Sequence, residues 1–218
     1  MRDYTSYVLN TKPVFYVTMQ GAKVRELVRG VNANISATAP LMDNGPFPGA
    51  NAWRFSASTS DHDEFDIPTD PSYHPGDAAF SMGGWFNRNG QGGAFPVLLS
   101  CGTNDVGMNF GNTDDLLTLG KNGVGNIWQA TNAITRGRWY HALCTRIASS
   151  TASGFINGVS VAGTNTAQTC SQATTNPTLA LYSGPPQSDF DGWLAHWAIW
   201  NRVLTDGEIR GLYLAGVA

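Results

Sequence analysis

Short apolar runs, each closed off by Gly, Pro, Asp or Asn, follow one another along almost the whole chain. Val14–Met19 comes directly after Pro13 and is rich in β-branched and aromatic residues, which suit a pleated, half-buried surface. Residues 20–50 carry Pro40, Gly45, Pro46, Pro48 and Gly49 and read as loops with short strands. Trp53–Ala57, Glu64–Ile67, Ala79–Phe86, Phe95–Ser100, Gly107–Phe110, Leu116–Leu119 and Asn126–Gln129 then repeat the strand rhythm. Trp139–Arg146, Ser153–Ile156, Val159–Gly163, Thr178–Leu181 and Asp191–Trp200 carry it to the far end. Many short strands separated by frequent turn signals predict an all-β, two-sheet antiparallel sandwich. A short helix over Tyr4–Asn10 is expected before it, ahead of Lys12 and Pro13.

Two local signals are sharp. Asn157-Gly158 lies between apolar runs, and both residues tolerate positive φ, so a tight hairpin is predicted there. Thr205 followed three residues later by Glu208 is a capping box, which starts a helix over Asp206–Leu214. That helix offers Ile209, Leu212 and Tyr213 to the sandwich, and Gly216 is expected to end it. In the final strand, alternation places Trp193, Ala195 and Trp197 on one face and Leu194, His196, Ala198 and Trp200 on the other.

Composition narrows the function classes. The 218 residues include seven tryptophans and are 42% hydrophobic, enough for a sizeable core, and no linker-like break divides them. One domain over 1–218 is therefore expected. Thirteen basic against sixteen acidic residues leave no basic surplus, so nucleic acid is not an expected partner. Charged residues make up 13% of the chain, about half the usual share of roughly 25%. No membrane-spanning apolar run occurs, and Met1–Tyr7 lacks the apolar stretch of a secretory signal. Cys101, Cys144 and Cys170 are odd in number and widely spaced, which predicts buried free thiols and synthesis in a reducing cytoplasm.

An ordered set of motifs carries a resemblance. Tyr7-Val8-Leu9 before Pro13-Val14-Phe15-Tyr16, Phe55 before Asp63-Glu64-Phe65-Asp66-Ile67-Pro68, and Phe80-Ser81 before Trp85-Phe86 come first. Trp139-Tyr140-His141 before Phe155-Ile156-Asn157-Gly158, then Phe190–Thr205, complete it. In this order the motifs resemble the laminin G-like, pentraxin-like jelly rolls of the concanavalin A-like lectin/glucanase superfamily. The resemblance implies a jelly-roll sandwich with a short N-terminal and a short C-terminal helix. It also resembles modules found in bacteriophage virion proteins.

Glycosidases of this superfold place carboxylates along one strand face, and no Glu-x-Asp-x-Glu occurs here. Asp61 and Asp63 would alternate with Glu64 and Asp66 in an extended segment. The resemblance implies calcium as the possible cofactor, since hard oxygen ligands suit it. Asp61, Asp63, Asp66 and Asp191 are its first candidate ligands, with Asp105, Asp114, Asp115 and Asp189 behind them. Ala195 and His196 stand where the family's closing strand often carries an acid, which weakens a site on that strand. Candidate ligand- or partner-binding residues are Asn87, Asn89, Asn104, Asp105 and Trp193, on loops and strand ends. The implied function is a non-enzymatic virion structural or decoration protein of capsid or tail, oligomeric within its assembly, with host-surface carbohydrate as a second partner. A lectin or adhesion module acting extracellularly is the alternative, and a glycoside hydrolase the third class.

Overall fold

The computed structural model describes residues 3–19, 24–35, 41–56, 65–90, 95–111, 114–148, 151–181 and 189–218. Helix α1 (Tyr4–Asn10) is capped by Asp3, whose carboxylate accepts from Thr5 N and Ser6 Oγ, both at 3.0 Å. The strands follow as β1 (Phe15–Thr18), β2 (Arg25–Glu26), β3 (Asn34–Ile35), β4 (Leu41–Asn44), β5 (Asn51–Phe55) and β6 (Phe65–Asp66). After a single 3-10 turn at Pro71–Tyr73 come β7 (Phe80–Arg88), β8 (Val97–Ser100), β9 (Val106–Phe110), β10 (Leu117–Lys121) and β11 (Gly125–Ala130). The rest are β12 (Trp139–Ala148), β13 (Thr151–Ile156), β14 (Val159–Val161), β15 (Gly163–Asn165), β16 (Thr178–Leu179) and β17 (Gly192–Trp200), before helix α2 (Asp206–Val217).

All pairings are antiparallel and form two sheets. One runs β14-β13-β12-β7-β17-β1-β2, with β5 also on β17 and β4 on β5; the other runs β15-β11-β10-β9-β8-β16-β6-β3. Their facing rows make the core expected of a sandwich. Phe65 of the second sheet meets Trp53 and Phe55 of the first edge to face, with centroids 5.0 and 5.2 Å away. Phe86 and Phe110 meet at 5.4 Å in the same way. The three cysteines are buried and unpaired, and burial pushes the Cys101 and Cys144 thiols upward. Two buried arginines close the ends of the β7–β12 pair. Arg88 pairs with Asp115 at 2.7 Å, and Arg146 reaches Asp77 and the carbonyls of Gly76 and Gln168.

The outer face of the first sheet is covered as well. Trp85 packs there against Tyr4 of α1, Phe47 of the β4–β5 turn and Tyr213 of α2. The capping box forms as the sequence predicts, with Thr205 Oγ1 accepting from Glu208 N and the Glu208 carboxylate from Thr205 N. Gly216, however, does not end α2; the helix runs on through Val217. Its hydrogen is required by packing, since a Cβ would lie 2.5 Å from Trp85 Cζ2.

The face assignment of the last strand also needs correction. Ala195 pairs with Trp85 and Ala198 with Gly83, so two residues, His196 and Trp197, oppose one. His196 takes φ +55, and this bulge inverts the alternation beyond it. Trp193, Ala195, His196, Ala198 and Trp200 therefore share the outer side. Leu194, Trp197 and Ile199 share the inner one. The bulge has a clear place in the topology. β5 pairs with β17 over Gly192–Leu194 and β1 over Trp197–Ile199, so it falls at the hand-over between the two neighbours.

Candidate functional site

The outer face near the start of β17 collects several of the residues marked by sequence. Trp193 pairs across the sheet with Asn87 on one side and Arg54 on the other. Alternation along β5 turns Trp53 and Phe55 into the core and leaves Arg54 outside. The Arg54 guanidinium lies over the Trp193 ring, 4.9 Å from its centroid, and forms an ion pair with Asp191 at 2.8 Å. Trp193 Nε1 donates to Asp43 Oδ2 at 3.1 Å, which fixes the plane of the half-buried indole from its edge. Asn89 N donates to the Asp191 carbonyl at 2.9 Å, bringing the loop after β7 onto the same patch. The carboxylate of Asp191 presses so closely on Gly90 that no Cβ fits there. Asn87 Oδ1 is buried beside Trp193 and has no hydrogen-bond partner among the described residues. An oriented aromatic plate, a buried unpartnered amide oxygen and flanking carboxylates are thus assembled on one sheet.

The other candidates go elsewhere. Asn104 occupies the β8–β9 turn at φ +62, with its N–H on Asn122 O and its carbonyl accepting from Ser171 N. Asp105 beside it is fully buried and not a ligand presented to solvent. Its Oδ1 accepts from Gly76 N and Val106 N at 3.0 and 2.8 Å, and its Oδ2 from Ala173 N at 3.2 Å. His74 Nδ1 stands 3.3 Å from the same Oδ2, while its Nε2 lies 2.6 Å from Thr69 Oγ1. Asp105 therefore ties three distant loops together, a role set by its burial.

Asp66 and Asp191 do not share an environment. Asp66 sits on β6 of the second sheet and accepts from Asn176 Nδ2 at 3.0 Å; Asp191 is held by Arg54 at the edge of the first. Asp114 accepts from Leu116 N, Asp115 is paired with Arg88 and Arg136, and Asp189 is buried. Asp61 and Asp63 lie outside the described residues, as do Glu64 and residues 184–188. Among the described residues no group of three or more His, Cys, Asp or Glu is placed to hold a metal ion.

Sequence reasoning missed Arg54 and Asp43, because their nearness to Trp193 depends on strand pairing across about 140 residues of chain. It also missed a cavity farther along the same outer face. His196, freed by the bulge, stands between Tyr4 and Phe47, with ring centroids at 4.9 and 5.3 Å. Burial holds its pKa down at about 4 and that of nearby His141 at about 3, so both rings are neutral at pH 7.

Comparison with known proteins agrees with this architecture. A family model described as the concanavalin A-like lectin/glucanases superfamily matches residues 58–210. No curated protein matches the chain by sequence. Among solved structures, the binding domain of Paraclostridial Mosquitocidal Protein 1 is similar with a TM-score of 0.71 at 15% identity; the match covers 94% of this chain and 52% of that one. Trypanosoma rangeli sialidase in complex with sialic acid gives 0.64 at 15% identity over 94% of this chain and 33% of that one. A mutant of HCR D/C VPI 5995 gives 0.68 at 12% identity over 95% and 53%. The chain thus spans between a third and about half of the length of these solved chains, and the likeness is one of fold.

Proposed function

The chain belongs to the concanavalin A-like lectin/glucanases superfamily, and on that premise we propose a non-enzymatic recognition module, carried as a structural or decoration protein of a virion capsid or tail. The Trp193 patch is its docking surface. The observation that carries this reading is the fixed indole: Arg54 orients one face and Asp43 holds the edge. Aromatic plates of this kind anchor partners with little loss of conformational entropy. The state of the described carboxylates supports recognition over hydrolysis. Asp191 and Asp115 sit in ion pairs and Asp105 is spent on backbone N–H groups, so these acids are occupied in holding the fold. The low charge of the chain fits a module that works against fixed neighbours, where long-range repulsion between free copies is not needed.

Host-surface carbohydrate is the second ligand of the patch. A pyranose offers an apolar face to the indole and hydroxyls to the Asp43 carboxylate at its edge. Electron microscopy and mass spectrometry of purified particles test the assembly role; a virion lacking the chain overturns it. A glycan array probed with the protein and with Trp193→Ala tests the second ligand. The expected result is binding that falls by about tenfold or more in the variant, as for loss of a central aromatic anchor.

A further inference from the structure

We propose that the cavity between the start of α1, the β4–β5 turn and the last turn of α2 binds an aliphatic ammonium group, a protonated amine on a short hydrocarbon stem. The inference is independent of the Trp193 patch. The cavity measures about 700 Å³, within the size range of small-molecule sites. Its chemistry has three parts. Tyr4 and Phe47 supply aromatic surface, which attracts a cation and also packs against methylenes. Asp3, Ala215, Gly216 and Val217 also line it, and they carry a carboxylate and the carbonyls of the α2 end. Those carbonyls lie beyond Leu214, whose oxygen accepts the last N–H of the helix, so they form the negative end of α2. No basic residue in the last turn of α2 offsets them.

The third part is His196, which lines the cavity and is 2% exposed, with Nε2 unpartnered among the described residues. Its Nδ1 lies 2.8 Å from Tyr16 Oη, and Tyr16 Oη lies 3.4 Å from Thr5 Oγ1. One proton assignment has His196 Nδ1–H donating to Tyr16 and the Tyr16 hydroxyl donating to Thr5. It leaves Nε2 as an unused acceptor. The reverse assignment would leave a buried N–H unused, and orphaned N–H groups are the rarer of the two. The lining therefore carries a lone pair, a carboxylate and helix-terminal carbonyls, and the Asp3 carboxylate also caps the N–H end of α1 that borders the cavity. Anions are repelled by this set, and a neutral alcohol gains no charge attraction from it.

Saturation-transfer NMR of the whole protein with n-butylammonium tests the proposal, beside butan-1-ol and butyrate as neutral and anionic isosteres. The expected result is saturable butylammonium binding, with both isosteres weaker by about tenfold or more. Asp3→Asn keeps an N-cap side chain for α1, and His196→Asn keeps a residue that accepts positive φ. Each is expected to weaken butylammonium binding by about fivefold or more while leaving butanol unchanged. Equal affinity for the amine and the alcohol, no amine binding, or an unaltered amine affinity in Asp3→Asn overturns the proposal. Should His196→Asn fail to fold, the isosteres and Asp3→Asn decide the matter alone.

Discussion

The β8–β9 turn and the rim of β17 look alike in the sequence, two polar segments with Asn, Asp and Gly between apolar runs, and the fold uses them in opposite ways. At the turn, Asp105 is drawn inside and its oxygens are consumed by Gly76, Val106 and Ala173 backbone N–H groups, with His74 alongside. At the rim, Asp191 and Asp43 stay near the surface and serve a single aromatic ring and its arginine. The acid of the turn is consumed inside the fold, while those of the rim remain at the surface. Acidic loop residues are therefore not ligands by default; what decides is whether backbone donors from other loops reach them first.

The largest test of this contrast is Asp105→Ala. It strands buried N–H groups from three loops, and urea unfolding is expected to show a loss of about 3–5 kcal/mol. A loss under about 1 kcal/mol would erase the distinction between turn and rim. The next test sets satisfied buried groups against unsatisfied ones. His141 and His196 have pKa values of about 3 and 4 in the folded chain, against an unfolded value near 6.5. The unfolded chain therefore binds more protons between pH 6.5 and 4, and stability must fall as pH falls through that window. Each histidine contributes a slope of up to about 1.4 kcal/mol per pH unit. Thermal melts across that range check it, and His141→Gln should flatten the curve. A pH-independent midpoint would mean that water or protein already partners these rings.

Smaller effects are expected on the rim. Arg54→Met removes the ion pair and the stacked cation but keeps volume, for a cost of about 1 kcal/mol, read by chemical denaturation. Binding by the patch should suffer more than its stability does, as the indole loses its fixed plane. Asn104→Gly should be smallest, within about 0.5 kcal/mol, because φ +62 suits glycine at least as well. A larger loss in the same denaturation assay would reveal a side-chain role for Asn104 that its backbone bonds do not require.

Features encoded within a few residues were legible before any coordinates. The capping box at Thr205 and Glu208, the Asn157-Gly158 hairpin, helix α1 and the strand rhythm all depend on neighbours in sequence. The two-sheet sandwich follows from that rhythm. The bulge in β17 was not legible, because it arises where β5 gives way to β1, and those strands lie far from it in the sequence. Strict alternation consequently put Trp197 with Trp193. Gly216 read as a stop signal for a related reason: its close contact with Trp85 is tertiary, and a helix-ending glycine looks the same in one dimension. At the site, Trp193, Asn87, Asn89 and Asp191 could be marked as candidates from the chain alone. Arg54 and Asp43, which orient the indole, could not, since their register against β17 is a property of the sheet.

The bulge at His196 has a consequence for how β17 tolerates change. A strand normally behaves as text read in a fixed frame of two, where adding or dropping a letter scrambles everything downstream. Here the frame already shifts once, and His196 is the letter spelled between the two frames. The segments on either side are each anchored by their own partner, β5 before and β1 after. The phase of each half is thus set without residue 196, whose own side chain is fixed by its burial, its positive φ and its contact with Tyr16.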